Sequence, residues 1–136
     1  MTVLPEPSDA AFLEAFEAGE RPGGVFRHAD HLRLAWLYLQ RDGAALGEER
    51  IADGIRRFAD AQGAVGLYHE TLTRVWVRLV AAALAATPCG GSFPRFLEAN
   101  PQLADKAYVF RFYSVEALSA ARAREEWIEP DREPLP

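Results

Sequence analysis

Apolar positions recur along the chain mostly three and four residues apart, the spacing of helices that bury one face. Ser8-Asp9 suits the N-cap of a first helix carrying Phe12, Ala15 and Phe16 on one side. Gly19, Pro22, Gly23 and Gly24 end it and form a connector. A second helix is predicted from position 29 or 30 to about 41, closed by Asp42-Gly43. Its stretch 32–39 (Leu-Arg-Leu-Ala-Trp-Leu-Tyr-Leu) is apolar nearly all round, which predicts a central helix. A third helix is predicted from about 46 to 62, with Ile51, Ile55, Phe58 and Ala59 at helical spacing; Gly63 stops it and Gly66 marks the next turn. A fourth runs from about 68 to 86 with a stripe of Leu72, Trp76, Leu79, Val80 and Ala83, ended by Pro88 and its glycines.

Shorter helices are expected around 92–100 and 114–124, with Asp105 and Ser114 as caps. The run Tyr108-Val109-Phe110-Arg111-Phe112-Tyr113 is the one strand candidate. A lone strand has nothing to pair with, so helix or extended linker is the reading. The tail 130–136, rich in proline and charge, is expected to be loosely ordered. The expected fold class is all-α: a single-domain bundle of four main helices with short C-terminal helices, spanning 1–136.

Composition narrows the function classes. At 136 residues the chain suits one core, and its 49% hydrophobic and 26% charged residues are ordinary for a globular domain. A net charge of -5 argues against nucleic acid as a partner. Arg56-Arg57 and the pair Arg122 and Arg124 are flanked by acids and read as solvated faces. The single cysteine, Cys89, excludes an internal disulfide and reads as an incidental thiol in a reducing compartment. The N-terminal segment has neither a basic region nor an apolar stretch, and no run approaches membrane length. The expectation is a cytoplasmic protein with no membrane partner; a homodimer stays open.

All three histidines fall in two short phrases. His28 and His31 lie in Phe26-Arg27-His28-Ala29-Asp30-His31-Leu32, and His69 lies in Tyr68-His69-Glu70-Thr71. A spacing of three places His28 and His31 on one helix face, whose continuation passes Ala35 and Tyr38. His69 heads the core stripe of the fourth helix and is expected to point inward. In an up-down bundle the second and fourth helices run parallel, which brings both phrases to one end. Three imidazoles there, or two with a carboxylate, would give a divalent metal (iron, copper, zinc or manganese) an incomplete shell with open positions. Asp30 and Glu70 would complete that shell or move a proton, as catalytic residues. Tyr38, Tyr68 and Trp36 would line the substrate side. The rival reading has no metal: Asp30 suits a helix dipole, Glu70 and Arg74 form an i,i+4 pair, and the histidines anchor a ligand or helix ends.

These phrases, with Ala35-Trp36-Leu37-Tyr38-Leu39, Gly66-Leu67, Phe96-x-x-x-Asn100-Pro101-x-Leu103 and Tyr113-Ser114-x-Glu116-x-Leu118, resemble a widespread, generally uncharacterised family of small bacterial proteins. The resemblance spans most of the chain. It implies a single-domain unit with the two histidine phrases in one site, and no substrate or reaction. At the level of fold alone, three histidines in a helical bundle are also similar to the DinB-like metal-dependent hydrolases and thiol transferases, whose ligand spacing differs. The leading expectation is a small metal-dependent enzyme, oxygenase or hydrolase in type, acting on a small organic molecule. The alternative is a metal-free binding or interaction module.

Overall fold

In the structure, a computed structural model, residues 8–20, 26–87 and 91–136 are described. Cys89 and Pro88, the connector residues Pro22, Gly23 and Gly24, and the N-terminal segment 1–7 lie outside them. The fold is an all-α bundle, and the described residues contain no strand. Its helices are α1 (Asp9–Glu17), α2 (His28–Asp42), α3 (Ala44–Ala61), α4 (Glu70–Ala86), α5 (Phe93–Ala99), α6 (Val115–Ser119) and α7 (Ala121–Glu125). Three 3-10 segments, Val65–Leu67, Pro101–Ala104 and Lys106–Arg111, fill the connections. The last of these takes up the first four residues of the candidate strand, Tyr108 to Arg111.

α2, α3 and α4 pack on one another and form the centre. The stretch 32–39 places Leu32, Leu34, Ala35, Trp36, Tyr38 and Leu39 in the core, as its all-round apolarity requires. Gly43, at φ 83°, ends α2 and opens α3 in one residue, a conformation that L side chains rarely adopt. Gly47 then lets α3 lie close to α2: a Cβ there would sit 3.2 Å from both the Leu39 Cα and the Tyr38 carbonyl oxygen. α1 closes one side through a stack of Phe16 with Phe26 and Phe58, ring centroids 5.8 and 5.6 Å apart. Among the described residues no helix is long and apolar enough to cross a membrane.

α4 starts two residues later than the apolar pattern predicts. His69 is its N-cap, with extended backbone, and Glu70 its first helical residue. The most deeply buried positions of α4 include Thr71, Val75 and Val77 beside the expected Leu79, Val80 and Ala83. Leu72 and Trp76, expected in the core stripe, are only partly buried. α4 is covered on two sides, by α2 and α3 and by α7, so its buried surface is broader than one stripe.

The predicted helix over 114–124 breaks into α6 and α7 at Ala120, whose backbone is extended. The tail 130–136 lacks regular structure, yet it is tied down rather than loose. Ser114 donates N–H and O–H to Asp131 at 2.8 and 2.6 Å, Arg111 pairs with Glu133 at 2.8 Å, and Arg132 N–H reaches the Phe112 carbonyl at 3.0 Å. Proline and charge forbid a helix here, but not side-chain tethers. Ser114 also caps α6 by accepting from Ala117 N–H at 3.0 Å. Ser114→Ala should therefore cost about 1–2 kcal/mol in urea denaturation. An unchanged midpoint would show the hydroxyl's cap and its bond to Asp131 to be immaterial.

Candidate functional site

A cavity of about 720 Å³ opens between the first turns of α2 and α4. His28, His31 and His69 all line it, with Tyr68, Trp76 and Lys106 among its other walls. The α2 face that continues from His28 and His31 contributes Ala35. Among the described residues three of the four exposed large hydrophobic side chains, Leu67, Phe110 and Val115, also line this cavity, with Leu67 78% exposed. An apolar rim of this kind marks a ligand or partner site more often than a plain surface does.

The histidines have different duties. His69, 8% exposed, accepts Leu72 N–H on Nδ1 at 3.1 Å and donates Nε2–H to the Leu118 carbonyl at 2.8 Å. Since a carbonyl only accepts and an N–H only donates, the ring carries its hydrogen on Nε2 and both nitrogens are in use. His28 likewise donates Nε2–H to the Leu103 carbonyl at 2.8 Å, and its ring meets Trp76 edge to face at 4.4 Å. Leu103 and Leu118 lie in short helical segments, whose last carbonyls have no partner within the segment. These two imidazoles thus fasten the C-terminal half of the chain to the openings of α2 and α4.

His31 differs from both. Its ring lies edge to face on Phe26 at 4.6 Å, and neither ring nitrogen hydrogen-bonds to another described residue. Burial pushes this imidazole down to about 4, with the His28 charge adding in the same sense and Asp30 opposing. His28 is also lowered, burial outweighing the hydrogen bond to Leu103. At neutral pH both rings are therefore uncharged.

The two acids stand elsewhere. Asp30 accepts Arg27 N–H at 2.8 Å and so closes the first turn of α2. Glu70 accepts the Tyr68 hydroxyl at 2.6 Å and pairs with Arg56 at 3.1 Å and Arg74 at 3.4 Å. Arg74 also takes Glu48 and Glu49 of α3 at 2.9 and 2.7 Å, which ties α3 to α4. Neither Asp30 nor Glu70 lines the cavity.

Of the three expected pocket aromatics, only Tyr68 lines the cavity. Burial, then the hydrogen bond to Glu70, pushes its hydroxyl up to about 12. Tyr38 points to α1 and donates to Glu17 at 2.7 Å. It lies ten residues beyond His28, about 15 Å along the axis, so sharing a face does not bring it to the same end. Trp36 packs against Phe93 and Phe96, ring centroids 5.8 and 6.5 Å away, and its buried indole N–H has no partner among the described residues.

The donor set does not fit the expected metal. Both nitrogens of His69 and Nε2 of His28 are occupied by backbone groups, and no carboxylate of the described residues lines the cavity. Among the described residues no group of three or more His, Cys, Asp or Glu side chains is arranged to hold a metal ion.

Sequence reasoning missed Lys106 and Arg124. Arg124 had the appearance of a solvated basic face; it lines the cavity and donates to the Gly66 and Tyr68 carbonyls at 3.1 and 3.4 Å, holding the rim turn. Lys106 did carry a signal, being the only lysine in the chain. No family model, no curated protein and no solved structure matches this chain.

Proposed function

We propose that this protein binds a small, largely apolar organic molecule in the histidine-lined cavity, without a metal. The observation that carries the reading is the cavity itself. It is large enough for a small organic ligand and is walled mainly by apolar and aromatic side chains, with a few convergent polar groups. Neutral His31 supplies an uncommitted imidazole, able to give or take one hydrogen bond and so to orient a polar atom of the ligand. A base near 4 is a weak proton acceptor at neutral pH, which favours binding over general-base catalysis as its role.

Thermal-shift and calorimetric titration with a panel of small aromatic and alkyl compounds tests this. At least one class should raise the melting temperature, equally with and without chelator, and His31→Ala should weaken it. Zinc, iron, copper or manganese alone should leave the melting temperature unchanged. Stoichiometric metal uptake with a rise in melting temperature, lost in a folded His31→Ala variant, would reverse the reading in favour of a metal-dependent enzyme.

A further inference from the structure

The permanently charged side chains that line the cavity, among the described residues, are all positive. The chain is acidic, with twenty Asp and Glu residues and a net charge of -5. Among the described residues none of these acids lines the cavity, whose ionisable groups there are the three histidines, Tyr68, Lys106 and Arg124. A second cavity of about 400 Å³ adjoins the first and shares Phe26, His28 and Lys106 with it. Its lining adds Arg27 and again no acid. Lys106 thus stands where the two spaces meet.

Two acids act on the cavity's histidines from behind its wall, Asp105 on His28 and Asp30 on His31. Asp105, next to Lys106, turns its carboxylate onto Ala107 N–H at 2.9 Å and caps the segment Lys106–Arg111. Asp30 accepts Arg27 N–H. Lys106 is exposed and makes no ion pair with another described residue. In a cleft with low-dielectric walls, positive groups without acids attract anions and repel cations.

We infer that the ligand is an anionic amphiphile: an apolar, ring-sized body in the main cavity and one negatively charged head, a carboxylate or a phosphate ester, held by Lys106 at the junction. The inference rests on the binding role proposed above and adds the sign of the ligand's charge. His28 and His31, neutral here, would orient the head but not neutralise it. Arg27 extends the positive field on the side of the smaller cavity. Arg124 does the same at the rim, where its guanidinium is already tied to two carbonyls.

Four probes with one body separate the possibilities: 4-phenylbutyrate, 4-phenylbutyl phosphate, 4-phenylbutan-1-ol and 4-phenylbutylamine, each titrated calorimetrically at pH 7 into the full chain and into Lys106→Met. An exposed cation-anion contact is expected to favour an anion over the alcohol by roughly fivefold, with the amine weakest. The ranking of carboxylate against phosphate identifies which head the site prefers. In Lys106→Met that preference should vanish while the alcohol binds as before; equal melting temperatures of the two proteins establish that the variant is folded. Equal affinity for acid and alcohol, or an anion preference that survives in Lys106→Met, would overturn the inference and leave a neutral apolar site. Failure of all four probes to bind would overturn both this inference and the binding role beneath it.

Discussion

His69→Ala should unfold at a melting temperature about 10 °C below that of the parent. The substitution removes two bonds at once. Loss of the N-cap leaves Leu72 N–H without its acceptor, worth about 1 kcal/mol. The Leu118 carbonyl, the partner of a ring only 8% exposed, loses its donor at about 1–3 kcal/mol more. A sum near 3 kcal/mol corresponds to that fall in a chain of this size. His69→Asn separates the two terms. Asparagine caps helices well but is too short to span to Leu118, so it should recover about 1 kcal/mol. Circular dichroism melts of the three proteins decide the matter. A loss below about 1 kcal/mol in the alanine variant, at any metal concentration, would mean that His69 is not the structural fastener described above. A loss appearing only in metal-loaded protein would make it a ligand instead.

His69 also shows what the chain discloses on reading and what it withholds. The phrases around His28 and His69 stand out by their histidines, while the segments ending at Leu103 and Leu118 are marked only by the family resemblance. In the fold they meet in pairs, His28 on the Leu103 carbonyl and His69 on the Leu118 carbonyl. A side chain that bonds to a backbone carbonyl leaves no mark on its partner's identity, because every residue has that carbonyl. Periodicity therefore discloses the helices and the inward direction of His69, while the contacts made by its nitrogens stay hidden. The same three imidazoles read equally well as ligands, and only their bonds separate a fastener from a donor.

Helix length misleads in a related way. His28, His31 and Tyr38 share a face by angle, but angle ignores distance along the axis, so Tyr38 ends beside Glu17 of α1. Trp36 lies off that face, against α5. Lys106 and Arg124 reach the cavity from the C-terminal half, in a 3-10 segment and a short helix. Their approach depends on how the chain returns across α2 and α4, which no local pattern encodes. By contrast, the caps Ser8, Asp105 and Ser114 act within three residues and are legible in the sequence.

Acidification should destabilise the protein in a window that His31 sets. Its imidazole titrates near 4 in the folded chain and near 6.5 when unfolded. Between those values the unfolded state binds more protons, so stability rises with pH across the window. The contribution is fully present above about pH 6.5 and is lost progressively as pH falls toward 4, on the order of 3 kcal/mol in all. His28 is displaced in the same direction and adds to the same loss. Glu49 is held down by its hydrogen bond from Arg74 and Asp131 by its bonds from Ser114; both carboxylates titrate lower and act in the next window down. His31→Leu removes the group and keeps an apolar side chain against Phe26. Urea midpoints for parent and variant should run parallel above pH 7, and between pH 6.5 and 4 the parent should lose more than the variant. Curves that stay parallel to pH 4 would show that His31 is as free to take a proton in the folded chain as in the unfolded one. The ring would then be solvated, and no neutral imidazole would stand in the cavity to orient a ligand.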